Sequence, residues 1–105
     1  MNTYLETRWG GGPTNPTEEE LLRALKELET NDPEHPDCWL VDDNEWVIAA
    51  SEGGRMTLEN PETDEGPWHI NNCSPDFVLD AWKKLKEGRI EDIRALDWQE
   101  GYGAR

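Results

Sequence analysis

Basic residues are scarce in this chain: ten Lys and Arg stand against twenty-four Asp and Glu among 105 residues, a formal net charge of −14. The only basic clustering is Lys83, Lys84 and Lys86, late in a predicted helix, where cations complement the helix dipole. A nucleic-acid binder carries a basic stripe, so direct contact with DNA or RNA is not expected, and an anionic lipid surface repels such a chain. No apolar run is long enough to span a bilayer, and the opening Met1-Asn2-Thr3-Tyr4 carries no charged-then-apolar leader. A cytoplasmic protein is therefore expected. The two cysteines, Cys38 and Cys73, are too few for a disulfide framework and read as free, buried thiols in a reducing compartment.

Catalytic and cofactor signatures are also missing. Gly10-Gly11-Gly12 follows a strand-like segment, but Pro13 and Pro16 come next and no Lys-Ser/Thr pair follows, so the glycines make a flexible turn and not a phosphate cradle. His35-x-x-Cys38 and His69-x-x-x-Cys73 supply ligand types that suit zinc, yet their spacing matches no finger pattern and Pro36 interrupts the first pair. A Cys–His nucleophile needs an orienting third group and an electropositive setting, and dense carboxylates raise a thiol's pKa. Asp42 and Asp43 lack the spaced oxygen ligands of a calcium loop. No catalytic residue, metal or cofactor is expected, and a binding role fits better than an enzyme.

What is abundant is acid, and it is concentrated. Between residues 31 and 65 lie Asp32, Glu34, Asp37, Asp42, Asp43, Glu45, Glu52, Glu59, Glu62, Asp64 and Glu65, opposed only by Arg55, so that this third of the chain holds ten of the fourteen net negative charges. Low hydrophobicity with high charge is a mark of disorder, but six tryptophans, Trp9, Trp39, Trp46, Trp68, Trp82 and Trp98, lie within or beside apolar segments. Each can bury about 150–250 Å², and a core built on them offsets the short supply of aliphatics.

The length suits one domain over 1–105, with 101–105 a frayed, glycine-rich tail. Residues 4–9 alternate and read as a strand. Thr17 with Glu20 forms a capping box and starts a helix over 17–30, in which Leu21, Leu22, Leu25 and Leu28 recur at helical spacing. Three strands follow at 38–41, 45–50 and 55–59, joined by Asp-Asn and Gly-Gly turns. The middle one is nearly all apolar and is expected to be central and covered. Residues 60–67 read as a loop broken by two prolines, and 68–70 as a last short strand. Ser74-Pro75 starts a second helix that runs to Glu87 with Phe77, Val78, Ala81, Trp82 and Leu85 on one face. Residues 90–96 are a short helix or an edge. The fold class is α+β: an antiparallel β meander with two main helices packed on one face, monomeric when alone.

Trp9-Gly10 after a strand, the 17–30 helix, the Trp/Val-rich meander, the late 74–87 helix and Leu96-Asp97-Trp98 together resemble the small immunity proteins (Imm family) of bacterial polymorphic toxin systems. The likeness spans Tyr4 to Trp98. It implies a protein that neutralises a cognate basic toxin domain of nuclease or deaminase type by covering its active site. The alternative is a nucleic-acid mimic that inhibits a host or phage DNA-binding protein; a third reading is an adaptor whose acidity serves only solubility. The binding site is expected on the acidic loops, at Asp42, Asp43, Glu45, Asp64 and Glu65, with Trp68 and Trp39 as aromatic anchors beside them.

Overall fold

A computed structural model describes residues 1–103 and is α+β. Its six strands are β1 (Thr3–Glu6), β2 (Asp37–Asp42), β3 (Val47–Ser51), β4 (Arg55–Asn60), β5 (Glu65–Ile70) and β6 (Gln99–Glu100), and its helices are α1 (Glu18–Glu27), α2 (Pro75–Lys86) and the short α3 (Ile90–Arg94). The strands pair antiparallel in sequence order, β1 to β6, as a single meander.

Local signals start both main helices. The Thr17 hydroxyl accepts from Glu20 N–H at 3.2 Å while the Glu20 carboxylate accepts from Thr17 N–H at 2.9 Å, the reciprocal capping box. Ser74 Oγ accepts from Phe77 N–H at 3.2 Å ahead of Pro75 at the first helical position. The Lys83–Glu18 ion pair at 2.7 Å joins the last turn of α2 to the first residue of α1, and Lys86 Nζ donates to the Pro16 carbonyl. The two helices therefore lie side by side and antiparallel.

One core lies between these helices and one face of the sheet. Leu21, Ala24 and Leu25 of α1, Val78, Ala81, Trp82 and Leu85 of α2, and Ile93 of α3 meet Leu5, Cys38, Leu40, Ile48, Ala50, Met56 and Leu58 from the strands. Trp82 is fully buried and donates its indole N–H to the Ile48 carbonyl at 3.0 Å, which satisfies the ring's one polar atom over the middle of the sheet. Leu22 and Phe77 do not join this core; each is 40% exposed. The buried stripes are 21, 24, 25 and 78, 81, 82, 85, and a residue one position off such a stripe turns about 100° away from it.

Asp42 ends β2 and is 3% exposed. Its Oδ1 accepts from Asn44 N–H at 2.9 Å and Trp46 N–H at 3.0 Å, so it staples the β2–β3 turn. Burial raises its pKa above the ordinary carboxylate value, partly offset by those N–H groups. D42A is expected to cost about 1–3 kcal/mol, because a buried N–H loses its acceptor, whereas D42N, which keeps Oδ1, should cost little. Because the folded state holds the Asp42 proton more tightly than the unfolded chain, wild type should gain stability relative to D42N as pH falls through the range just above the ordinary carboxylate value. Urea titrations at several pH values check both.

Several sequence expectations are corrected. β1 stops at Glu6, and the glycine run is an ordered return: Leu5 N–H donates to Pro13 O at 3.0 Å, Thr7 N–H to Gly11 O at 3.1 Å and Asn15 N–H to Thr3 O at 2.6 Å, so residues 11–15 cover the free edge of β1. A Cβ on Gly12 would lie 2.3 Å from the Leu5 carbonyl oxygen, which is why glycine is required there. The expected loop at 60–67 is shorter, because β5 already starts at Glu65. In the first part of the expected tail, Gly101 N–H donates to the Pro67 carbonyl at 2.9 Å, the His69 ring meets the Gly101 carbonyl at 2.8 Å, and the Tyr102 hydroxyl donates to Glu59. The rest of that expected tail, 104–105, lies outside the described residues.

Candidate functional site

The helices cover only one face of the sheet. Strand side chains alternate between faces, and the register places Tyr4 opposite Val41, Glu6 opposite Trp39, Trp39 opposite Ala49, Val41 opposite Val47 and Ala49 opposite Thr57. These residues share the second face, and among the described residues no helix packs there. Trp39, Val41, Val47 and Ala49 make its centre, with Tyr4 on the β1 side. Trp39 is 36%, Tyr4 38% and Tyr102 54% exposed. Glu6, Asp37 and Glu59 are placed around this apolar centre and Arg55 lies at its lower end, next to Ser51 in the register. A shallow depression of about 460 Å³ runs between Trp39, Ala49, Thr57, Glu59 and Tyr102.

This overturns one reading of β3. Its apolar run was expected to be central and covered; it is central, but only Ile48 and Ala50 are buried, while Val47, Ala49 and Ser51 are half-buried on the open face. An antiparallel sheet can leave one face to water, but that face is normally polar. Here its centre is apolar, which makes this face the candidate interaction surface.

The acidic third of the chain divides between the two ends of the sheet. Asp43 and Glu45 of the β2–β3 turn and Asp64 of the β4–β5 turn are exposed at one end, and Asn60 Nδ2 ties the two turns together by donating to Asn44 O at 2.9 Å. Asp32, Glu34, Asp37 and Glu52 lie at the other end, with Arg8 among them. The Arg8 guanidinium is fully buried; it donates to the carbonyls of His35 at 2.9 Å, Thr30 at 2.8 Å and Glu27, and pairs with Glu52.

Asp42, Asp43, Glu45, Asp64 and Glu65 thus do gather at one end of the sheet, but not all are presented to a partner. Asp42 is buried in its turn. Asp43 is exposed; it accepts from Asn2 N–H at 2.8 Å and from the Tyr4 hydroxyl at 2.7 Å, and those bonds, the Asn2 N–H first, hold its pKa below the usual value. Glu65 is paired with Arg94 at 2.8 Å, and the same guanidinium lies 5.3 Å from the Trp46 ring centre. Asp64 and Glu45 keep open positions. The two expected anchors separate. Trp68 shares the core-side face with Leu58, half-buried beside Arg94, Leu96 and Trp98. Trp39 is on the open face, three residues from Asp42 along β2. Trp9, expected among the tryptophans that build the core, is instead 59% exposed.

The His and Cys pairs are dispersed. Cys38 faces the core, its Sγ 3.9 Å from Ala24 O; His69 is on the helix-free side but buried against the Gly101 carbonyl; His35 is exposed in the loop before β2; Cys73 sits ahead of α2, its Sγ 3.5 Å from Ile70 O. Among the described residues no three His, Cys, Asp or Glu side chains gather as a metal site. Burial pushes the Cys38 thiol up to about 12 and raises that of Cys73 as well. Mass spectrometry after thiol alkylation at neutral pH is expected to find Cys38 unmodified until the protein unfolds, because reaction needs an exposed thiolate.

Tyr4, Trp9, Val47, Ala49 and Tyr102 were missed as surface residues by sequence reasoning. The signal for most of them was present in the period-two alternation of β1 to β4; which set faces water depends on which side the helices take. No family profile, no curated protein and no solved structure matches this chain, so the fold and this open face carry the functional argument. Among the described residues, no helix is long and apolar enough to cross a membrane.

Proposed function

We propose that this chain is an acidic inhibitor protein that binds a basic toxin domain of nuclease or deaminase type through the open face of its sheet, and so blocks that domain's active site, as an immunity protein of a bacterial polymorphic toxin system does. The observation that carries this reading is the helix-free face itself, an apolar, aromatic centre at Trp39, Val41, Val47 and Ala49 between acidic ends. Interfaces of this kind combine a desolvated aromatic centre with a charged rim. An enzyme that attacks nucleic acid needs a cationic cleft, and carboxylates at both ends of the sheet complement one. Such complementarity can lift association toward about 10⁸–10⁹ M⁻¹s⁻¹ at low salt, which suits an inhibitor that must outrun a lethal enzyme. The chain works by binding, without turnover, in the compartment where its toxin is made.

Growth rescue tests this. A basic toxin domain encoded by the adjoining gene is expressed under an inducible promoter, with and without this chain. Co-expression is expected to restore growth, and A49R, which places a bulky cation in the centre of the face, is expected to abolish the rescue while the variant still folds. Rescue by A49R equal to wild type would remove the open face from the mechanism. No rescue by wild type would favour a DNA-mimic inhibitor or an acidic adaptor.

A further inference from the structure

Beyond the centre of the open face, the turn carrying Trp9 meets the loop carrying His35 at the end of the sheet where β1 stops and β2 begins. They enclose a cleft of about 320 Å³ whose walls include Trp9, His35 and Trp39 and whose lining also takes in Glu34 and Asp37. Trp9 is presented there by a tight turn closed by Gly10 N–H donating to Thr7 O at 3.0 Å, with Gly10 at φ +83° and Gly11 at φ +75°, a backbone that other residues adopt poorly. Its ring centre lies 5.1 Å from that of His35 at 48°. A large indole held in water at the tip of an ordered turn, with a second exposed indole across the same cleft, is an arrangement that folding alone does not require.

We propose that this cleft receives an arginine side chain of the partner, its guanidinium set against the indole faces of Trp9 and Trp39 and its charge met by Glu34 and Asp37. The inference rests on the reading of a basic partner given above and names the group that partner inserts. Indole is the strongest of the aromatic rings for binding a cation. The planar, weakly hydrated guanidinium stacks on such rings where the compact ammonium of lysine does so less well. An apolar side chain in the same place would desolvate carboxylates without supplying a counter-charge. Arg8 also lines the cleft and holds its guanidinium 5.3 Å from the Trp9 ring centre; its side chain is fully buried, bonded to backbone carbonyls and paired with Glu52, so a second guanidinium must approach Trp9 from the solvent side.

The cleft can be tested without the toxin. Acetyl-Gly-Arg-Gly-amide is titrated into the isotopically labelled protein, and the indole N–H resonances are followed by NMR. Shifts confined to Trp9 and Trp39 are expected. The citrulline counterpart, which keeps the shape but not the charge, should bind at least about five-fold more weakly, as should W9A, W39A and E34Q/D37N with the arginine peptide. The lysine counterpart should fall between. Because Trp9 and Trp39 are exposed, these variants should keep the dispersed amide spectrum of the wild type. Equal binding of the citrulline and arginine peptides, or the absence of shifts at both indoles, would overturn the inference. The two readings fail separately: a toxin neutralised undiminished by W9A and by E34Q/D37N removes the cleft and leaves the inhibitor, whereas peptide binding without any toxin neutralised leaves the cleft and removes the inhibitor.

Discussion

Replacing Arg8 by alanine is expected to destabilise the fold by about 3–5 kcal/mol, because it breaks a buried ion pair and leaves the other partners without a donor. Arg8 stands just past β1, yet its guanidinium reaches the end of α1, where it donates to the Glu27 and Thr30 carbonyls, then the His35 carbonyl in the loop before β2, and finally Glu52 in the β3–β4 turn. Three separate stretches of chain are thereby tied to the end of β1 by one planar group. Glu52 also accepts from Asp32 N–H at 2.7 Å, so its carboxylate stays tied to that loop when Arg8 is gone, now without its counter-charge. R8K should recover only part of the loss, since an ammonium cannot present the fork of donors that these carbonyls accept. E52Q should cost less than R8A, because the amide oxygen can still accept from Asp32 N–H. Urea unfolding of the variants checks this, with the midpoint shifted and the slope unchanged. An R8A variant within about 1 kcal/mol of wild type would mean that water replaces the guanidinium at these carbonyls.

The second large effect concerns the open face. A49R is expected to weaken binding of the proposed basic toxin by at least about 30-fold, since a buried charge without a partner at the centre of an interface costs about 2–5 kcal/mol. Ala49 is opposite Trp39 on one side and Thr57 on the other, so the new side chain lies across the apolar centre and sets a cation against a basic partner. The fold should tolerate it, because Ala49 points away from the helices and is half-buried only by its neighbours on the sheet. Calorimetric titration against the toxin, with the melting temperature as a control for folding, separates lost affinity from lost structure. W39A should act in the same direction through lost aromatic contact, in the range of about 2 kcal/mol that marks an interface hot spot.

The sequence made the helix starts legible because capping is local: Thr17 with Glu20 and Ser74 with Pro75 act within one turn. The meander of β2, β3 and β4 was legible from short turns and alternation. β5 was not. Gly66 and Pro67 look like loop residues, but a bulge between Leu58 and Asn60 lets the strand pair around them, and a Cβ on Gly66 would come within 2.8 Å of the Leu58 carbonyl. β6 pairs through Gln99 and Glu100 alone, too short for any periodic signal. The crowding of acid into one third of the chain was visible in the composition, but its division between two ends of the sheet follows from hairpin geometry, which puts alternate turns at opposite ends. Asp42 and Asp43 are adjacent and chemically alike, yet one is folded into its turn and the other remains exposed, a difference set by the turn's backbone. The open face was hidden for a further reason. Val47, Ile48, Ala49 and Ala50 read as a covered central strand, and only the position of α1 and α2 reveals that half of it meets water.

If the acidic surface of this chain guides encounter and its aromatic centre holds the complex, the two contributions separate in kinetics. The most direct measurement is the pair of association and dissociation rates for the proposed partner, a basic nuclease or deaminase toxin domain, taken from about 0.05 to about 0.5 M NaCl, for wild type, for D43K/E45K/D64K and for A49R. The account expects wild-type association to slow steeply with salt. The triple charge reversal, at residues exposed around the sheet end, should associate more slowly with a flatter salt dependence and dissociate at nearly the wild-type rate, because rim charges act on encounter. A49R should dissociate far faster. Wild-type association that is indifferent to salt, together with an A49R complex as long-lived as the wild type, would contradict the account.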